Sequence, residues 1–110
     1  MTSLSGLTID SLHEGLIQKK FSALEIAQAY FARIKDHDKE IGAYLSLLDD
    51  DAIRRAEAVD IKIARGEEIS AVAGVPLGIK DNILIDGFPA TAGSKILEHY
   101  RASYDATVIA

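Results

Sequence analysis

The sequence predicts helices followed by short strands, which is an α/β or α+β arrangement. In the first two-thirds of the 110 residues, apolar side chains recur at the three- and four-residue spacing of amphipathic helices. From Val72 onward, glycines at 74, 78, 87 and 93 and prolines at 76 and 89 separate short β-branched runs. This alternation of glycine and proline with short β-branched runs is typical of strands and turns. We therefore expect residues 1–70 to be mainly helical and residues 71–110 to form strands and loops.

Two helices are predicted near the N-terminus from their capping residues. Thr8 can cap the first, and Ser22 can cap the second, with Glu25 three residues later as in a capping box. Phe21 can pack on Ile26 as a hydrophobic staple. The expected apolar faces are Ile9, Leu12, Leu16 and Ile17 in the first helix, and Ala23, Ile26, Ala27, Tyr30, Phe31 and Ile34 in the second.

A strand and a third helix are expected next. The second helix should end near the polar residues 36–39, and the apolar segment 43–48 suits a buried strand. Asp49–Asp51 can open a third helix, because negative charge is favourable at a helix N-terminus, and Gly66 is a natural C-terminal residue for it. The predicted core stripe of this helix is Ala52, Ile53, Ala56, Val59 and Ile63.

The last third is expected to contain two strands and a hairpin turn. Val75–Lys80 is predicted to be a strand with Pro76 near its start, and Ile83–Ile85 a strand that enters a turn at Asp86–Gly87. Pro89 weakens the returning strand. The final residues, 104–110, place Asp105 as a cap before an apolar run that then stops, which indicates a fragment of a longer protein.

Composition excludes several classes of function. The net charge is −5 and the basic residues are scattered, which disfavours a nucleic-acid surface on this segment but not on another segment or subunit. The absence of cysteine excludes disulfides, thiolate metal sites and cysteine nucleophiles. No apolar run approaches the roughly 20 residues that span a bilayer, and the N-terminus does not resemble a signal peptide. We expect no membrane association and a cytoplasmic location.

Lys80 is the main candidate for chemistry. Its apolar flanks, in the segment 73–83 (AGVPLGIKDNI), predict burial, and desolvation of a lysine favours the neutral amine that can act as a base. Asn82 could hydrogen-bond the head group, whereas Asp81 could pair with the ammonium or face away from it. Most lysines are exposed, so composition alone favours a lysine that reaches solvent at a strand end.

Other candidate sites are weaker. The glycines before Lys80 do not have the spacing of a phosphate-binding loop, and Ser94 lacks the flanking glycines of a nucleophile elbow. Thr91 or Ser94 is better explained as a helix cap before Ile96 and Leu97. The three histidines, His13, His37 and His99, do not share a metal-ligand spacing, and Asp49–Asp51 do not have the pattern of a calcium loop.

Residues 73–82 (AGVPLGIKDN) resemble the lysine-bearing strand of the amidase signature family. The resemblance continues through residues 91–97 (TAGSKIL) and 104–108 (YDATV), and residues 22–25 (SALE) resemble the preceding helical region. It implies an α/β fold: the N-terminal helices and first strands of one large mixed-sheet amidase domain, truncated, with an unpaired sheet edge. Within the family, residues 94–97 and 104–107 are most similar to the glutaminase subunit of the tRNA-dependent amidotransferases.

That resemblance implies a Ser–cis-Ser–Lys triad in which Lys80 is the lysine. The neutral amine would accept a proton, through the bridging serine, from the serine that attacks the amide carbon. In the family both serines belong to a Gly/Ser-rich motif downstream of the lysine, and residues 1–110 contain no such motif. We therefore expect this chain by itself to be inactive.

The resemblance also implies partners. Glutamine would be the substrate, and the released ammonia would convert Glu-tRNA(Gln) to Gln-tRNA(Gln) or Asp-tRNA(Asn) to Asn-tRNA(Asn). Two further subunits, of B and C type, would complete the complex and bring it to the aminoacyl-tRNA. No cofactor is expected in this chain, whereas ATP and Mg²⁺ are expected in a partner subunit. Two alternatives stay open: a stand-alone amidase of the same family, and a scaffold segment that docks a partner through its helical part.

Overall fold

The computed structural model describes residues 4–110 and divides the chain into two compact units. One unit ends at Pro76, and the other comprises Leu77–Ala110. The first contains helices α1 (Ile9–Ile17), α2 (Ala23–Ile41) and α3 (Asp49–Ala64). Within the described part of the second, regular structure is limited to a 3₁₀ helix, Lys95–Leu97, and an isolated antiparallel bridge between Pro89 and Arg101.

Helix α1 begins at the predicted cap. The Ser11 N–H donates to the Thr8 hydroxyl at 3.1 Å, and the Thr8 N–H donates to the Ser11 hydroxyl at 2.8 Å, which forms a reciprocal capping box. At the other end, Lys19 adopts a left-handed φ of 56°, and the Lys20 N–H donates to the Gly15 carbonyl at 2.9 Å. These bonds satisfy the last carbonyls of the helix in the manner of a Schellman motif.

The start of α2 is capped both by its own sequence and by α3. The Glu25 N–H donates to the Ser22 hydroxyl at 3.0 Å, which confirms the predicted cap. The return bond from the Glu25 side chain is not among the hydrogen bonds of the described residues. Instead, the N–H groups of Ala23 and Leu24 donate to Asp60, at 2.8 Å to Oδ1 and 3.1 Å to Oδ2. A carboxylate on α3 therefore satisfies the first turn of α2, where the helix dipole favours negative charge.

The core of the helical unit lies between its three helices. The side chains that form this core are Leu12, Leu16, Ala23, Ile26, Ala27 and Ala56. These six belong to the predicted apolar faces, whereas Ala29 of α2 is buried although it lies outside the predicted face, and Ile9 and Ile17 of the α1 face are each 50% exposed. Gly74 packs on this core with a left-handed φ of 79°, and a Cβ at that position would lie 3.0 Å from Leu16 Cδ1. Glycine is thus required there by both its backbone conformation and the space available.

Helix α2 extends to Ile41, beyond the predicted end at residues 36–39, and Gly42 ends it with a left-handed φ of 66°. The predicted buried strand at 43–48 is wrong. The N–H groups of Ala43 and Tyr44 donate to the Asp38 carboxylate at 2.7 and 3.4 Å, so they are not available to a neighbouring strand. The segment is consequently exposed, and Leu45 is 74% accessible.

Helix α3 agrees with the sequence prediction at both ends. It begins at Asp49, in the acidic run, and ends at Ala64. Gly66 follows with a left-handed φ of 73°; its N–H donates to Ile63 at 3.0 Å, and the Glu67 N–H donates to Lys62 at 3.0 Å. The predicted role of Gly66 is therefore confirmed as the left-handed residue of a Schellman motif.

The predicted strands at 75–80 and 83–85 are also wrong, because no strand occurs within residues 4–110 apart from the isolated bridge. Backbone groups in this region are used in turns and single contacts: the Ile83 N–H donates to Lys80 and the Ala106 N–H donates to Leu84. The turn at Asp86–Gly87 is confirmed, although Pro89 pairs with Arg101 rather than with residues 83–85. The α/β prediction is thus correct only for its helical part.

Within the described residues, none of the helices has the length and apolar character needed to cross a bilayer.

Removal of the Asp60 charge should destabilise the helical unit. We predict that Asp60→Asn lowers the free energy of unfolding of the 110-residue chain by about 1–3 kcal/mol, because two backbone donors of α2 lose a charged acceptor. Urea unfolding followed by circular dichroism at 222 nm measures the change. Glu57→Gln is the matched control, since Glu57 is an exposed residue of the same helix, and it should change stability by less than about 0.5 kcal/mol. Equal effects of the two substitutions would contradict this role for Asp60.

Candidate functional site

Lys80, the predicted site residue, lies in the second unit on an exposed turn. Its carbonyl accepts a hydrogen bond from the Ile83 N–H at 3.0 Å, and its side chain is exposed. The burial predicted from its apolar flanks is therefore wrong, and the alternative of a lysine that reaches solvent agrees with the exposed side chain. The preceding Leu77 is 77% exposed and Ile79 is 39% exposed. Asn82 is exposed as well, and within the described residues it is not hydrogen-bonded to Lys80.

Asp81, the next residue, joins the Lys80 segment to a second loop. Its carboxylate accepts three hydrogen bonds: from the Thr91 N–H at 3.0 Å to Oδ1, from the Thr91 hydroxyl to Oδ2, and from the Gly93 N–H at 3.3 Å to Oδ2. Its backbone carbonyl accepts a fourth, from the Ala92 N–H at 2.9 Å. One residue therefore binds three consecutive residues of the loop, 91–93, which we call the TAG loop.

The TAG loop has an unusual backbone that these bonds hold in place. Ala92 and Gly93 both adopt left-handed conformations, with φ of 50° and 67°. A left-handed conformation costs a residue with a Cβ about 1–2 kcal/mol, so Ala92 needs compensating contacts. The predicted capping role of Thr91 is not the one observed, because its hydroxyl donates to Asp81. Ser94 precedes the 3₁₀ helix, but its side chain does not cap it.

The hydrogen bonds lower the pKa of the Asp81 carboxyl below its ordinary value. The Thr91 hydroxyl makes the largest contribution, followed by the Thr91 N–H; partial burial opposes them, and the Gly93 N–H adds a smaller lowering. Asp81 is therefore a carboxylate at neutral pH. Its hydrogen-bonding partners are all in the TAG loop, and among the described residues it is not ion-paired with Lys80.

Backbone hydrogen bonds between residues 86–90 and 100–105 complete the frame of this unit. The Gly87 N–H donates to the Ala102 carbonyl at 2.8 Å, and the Ala102 N–H donates to the Phe88 carbonyl at 3.0 Å. The Asp86 N–H donates to the Asp105 carboxylate at 2.8 Å. Ala90 and Ala102 are the buried apolar residues of this unit. A frame held mainly by polar contacts thus carries both Lys80 and the TAG loop.

Neither the cavity of the helical unit nor the arrangement of potential metal ligands provides a second candidate site among the described residues. A cavity of about 330 Å³ is lined entirely by residues of the helical unit, including Lys19, Lys20, Ser22 and Asp60. Ser22 and Asp60 already accept hydrogen bonds from the first turn of α2, so the structure accounts for their polar atoms without a ligand. Within residues 4–110, the structure does not bring together three or more side chains that could hold a metal ion.

Comparison with known proteins identifies the family. The family model described as Amidase matches residues 25–110, a range that includes Lys80, Asp81 and the TAG loop. The chain belongs to the amidase family. Solved structures are similar to most of this chain. One is a bacterial aryl acylamidase of the amidase signature enzymes, with a TM-score of 0.83, 26% identity, and coverage of 88% of this chain and 20% of that one.

A second solved structure is closer in shape and sequence. It is described as a vestigial protein complex that reveals the evolutionary origins of an s-triazine catabolic enzyme. It has a TM-score of 0.88 and 30% identity, and the match covers 94% of this chain and 23% of that chain. The aryl acylamidase match agrees with the family assignment.

Curated relatives include A-type subunits of glutamyl-tRNA(Gln) amidotransferase. The chain is 47% identical over 98 residues to the A-type subunit of Chlamydia abortus, a match that covers 89% of this chain and 20% of the relative. It is 42% identical over 103 residues to the second A-type subunit of Clostridium acetobutylicum, with coverage of 94% and 22%. The chain therefore spans about a fifth of the length of the curated relatives it matches.

The sequence prediction identified Lys80 but missed the hydrogen-bonding role of Asp81. From the sequence, Asp81 is expected either to pair with the Lys80 ammonium or to face away from it, and Thr91 is expected to cap a helix. Aspartate and threonine side chains commonly hydrogen-bond backbone groups in turns, and glycine readily adopts a positive φ. These tendencies were the available sequence signal for the Asp81 contact. They do not specify partners that are distant in sequence.

The Asp81–Thr91 contact should be visible in the titration of the chain. Because the pKa is lowered in the folded state, these bonds stabilise the fold above the unfolded pKa, and their contribution is lost as pH falls through the folded value. We predict that ¹³C NMR of the Asp81 carboxyl gives a midpoint below the ordinary aspartate value, and that Thr91→Val raises it. Thr91→Ser keeps a hydroxyl donor and should preserve the low midpoint. Identical midpoints in the Val and Ser variants would contradict the assigned cause.

Proposed function

We propose that residues 1–110 are the N-terminal part of the glutaminase subunit of a tRNA-dependent amidotransferase, and that Lys80 is the lysine of its catalytic triad. The observation that carries this proposal is the 41–47% identity to A-type subunits of glutamyl-tRNA(Gln) amidotransferase over most of this chain. Such subunits form all of the first eight matches among curated proteins.

The local geometry is compatible with a base at Lys80. The side chain is exposed, so the amine is accessible to groups from another part of the protein. The adjacent carboxylate of Asp81 is held by the TAG loop, so it does not stabilise the protonated form of Lys80 by pairing with it. In the proposed reaction the neutral amine takes a proton, through a bridging serine, from the serine that attacks the glutamine amide. Both serines are supplied by sequence outside residues 1–110.

The proposed complex assigns the remaining functions to other components. The glutaminase subunit releases ammonia, and B- and C-type partner subunits use it, with ATP and Mg²⁺, to amidate Glu-tRNA(Gln) or Asp-tRNA(Asn). Residues 1–110 would form one part of a single amidase domain in this subunit, and the complex would be cytoplasmic. Copurification of the full-length polypeptide with two further subunits is the expected result.

A stand-alone amidase is the alternative within the family. The solved aryl acylamidase supports it at 26% identity, well below the 41–47% identity to the amidotransferase subunits. The comparisons thus favour the amidotransferase proposal. Hydrolysis of small amides by a full-length polypeptide that purifies without partner subunits would favour the stand-alone enzyme instead.

The activity test is a substitution of the proposed base. In the full-length polypeptide that contains residues 1–110, assembled with its partner subunits, we predict that Lys80→Ala lowers kcat for glutamine hydrolysis by roughly 10²–10⁴-fold, the usual contribution of a general base. Glutamate release measures the rate. Lys95→Ala is the matched control, because Lys95 is an exposed lysine of the same unit whose ammonium lies 3.6 Å from the Glu98 carboxylate.

Two results would count against the proposal. Retained glutaminase activity in Lys80→Ala would remove the assigned role of this residue. Glutamine turnover by the 110-residue chain alone would show that the downstream serines are not needed, since we expect that chain to be inactive.

A further inference from the structure

We propose that Asp81 is a positioning residue for Lys80: it ties the lysine-bearing turn to the TAG loop and keeps its own carboxylate away from the ammonium. This inference rests on the proposed function of Lys80. It assigns a separate role to a residue that does not itself touch substrate, and its test is chosen so that the two proposals can fail independently.

The Lys80 segment has few anchors other than Asp81. From Leu77 to Asn82, the hydrogen bonds of the described residues that reach another segment of the chain all involve Asp81. The apolar side chains that could have anchored the segment, Leu77 and Ile79, are exposed. The other hydrogen bond here, from the Ile83 N–H to the Lys80 carbonyl, is local and fixes only the turn. The place of Lys80 in its unit therefore depends on Asp81.

The contact between Asp81 and the TAG loop restrains the orientation of the Lys80 turn as well as its distance. Asp81 uses both carboxylate oxygens and its backbone carbonyl, and the donors come from three consecutive residues. Four hydrogen bonds in different directions restrict rotation as well as distance, whereas a single bond would leave the turn free to pivot. A misplacement of about 1 Å in a catalytic group can cost 10²-fold in rate, so such restraint has catalytic value.

The same contacts hold the negative charge of the Asp81 carboxylate. Asp81 is next to Lys80 in the chain, and an opposite charge within about 4–6 Å favours the protonated form of a lysine. A base must be neutral to accept a proton. Because Thr91 and Gly93 donate to the carboxylate, its negative charge is held by the TAG loop instead of the ammonium. The same contacts thus fix the position of the lysine and remove its nearest competing partner in sequence.

The experiment compares four variants in the full-length polypeptide with its partner subunits. Asp81→Asn keeps the size of the side chain but removes the charge that binds three donors. Thr91→Val removes the hydroxyl that donates to Asp81, whereas Thr91→Ser keeps a hydroxyl at this position. Asp105→Asn is the matched control, because Asp105 also accepts a backbone N–H in this unit, from Asp86 at 2.8 Å, but is not hydrogen-bonded to the Lys80 turn or the TAG loop among the described residues.

We expect Asp81→Asn to lower kcat for glutamine about tenfold to a hundredfold, with KM changed less than about threefold, because position rather than substrate binding is lost. Thr91→Val removes one of the three donors that hold the Asp81 charge away from Lys80, so the rising limb of its pH–rate profile should move to higher pH. Thr91→Ser should restore both kcat and the profile. Asp105→Asn should keep both close to the unmodified enzyme.

The outcomes separate the two proposals. If Lys80→Ala is inactive but Asp81→Asn behaves like Asp105→Asn, the positioning role is wrong and the proposed function stands. If Lys80→Ala is active, the proposed function fails first. Should Asp81→Asn not fold, the Thr91 pair decides: equal pH profiles and equal kcat in the Val and Ser variants overturn the positioning role, and rescue by Ser alone supports it.

Discussion

The carboxylate of Asp81 is the contact on which the lysine-bearing unit depends. A segment as short as Leu77–Ala110 cannot bury enough apolar surface to form an ordinary core, and among its described residues the buried apolar side chains are only those of Ala90 and Ala102. Polar contacts must then define its shape. Asp81 provides the densest set, since it binds each residue of the TAG loop.

The helical unit uses a carboxylate in a related way. Asp60 accepts the N–H groups of Ala23 and Leu24, in the first turn of α2, where backbone donors have no acceptors within the helix. Here, however, the contact supplements an apolar core around Leu16 and Ile26. Loss of Asp60 should therefore weaken a unit that has other support, whereas loss of Asp81 removes the main tertiary contact of its segment. The carboxylate contacts of Asp60 and Asp81 therefore contribute differently to the stability of their units, because the two units bury different amounts of apolar surface.

The parts that could be predicted from sequence are those with local causes. Thr8, Ser22 and Gly66 act on backbone groups within a few residues, and their predicted roles were confirmed. Strands depend on neighbours that are distant in sequence, so β-branched runs alone predicted strands that the described chain does not contain. The expected burial of Lys80 failed for the same reason. The contacts of Asp60 and Asp81 span long sequence separations and could not be read from spacing, while the choice of Lys80 came from the resemblance to the family.

Amide hydrogen exchange of the 110-residue chain, measured by NMR, tests the central claim most directly, namely that Asp81 holds the TAG loop against the Lys80 turn. The N–H groups of Thr91 and Ala92, which donate to Asp81 at 3.0 and 2.9 Å, should exchange more slowly than those of Lys80 and Asn82, for which the described residues provide no acceptor. Their protection should decrease in Asp81→Asn. Exchange of Thr91 and Ala92 as fast as that of Lys80 and Asn82 would contradict the account.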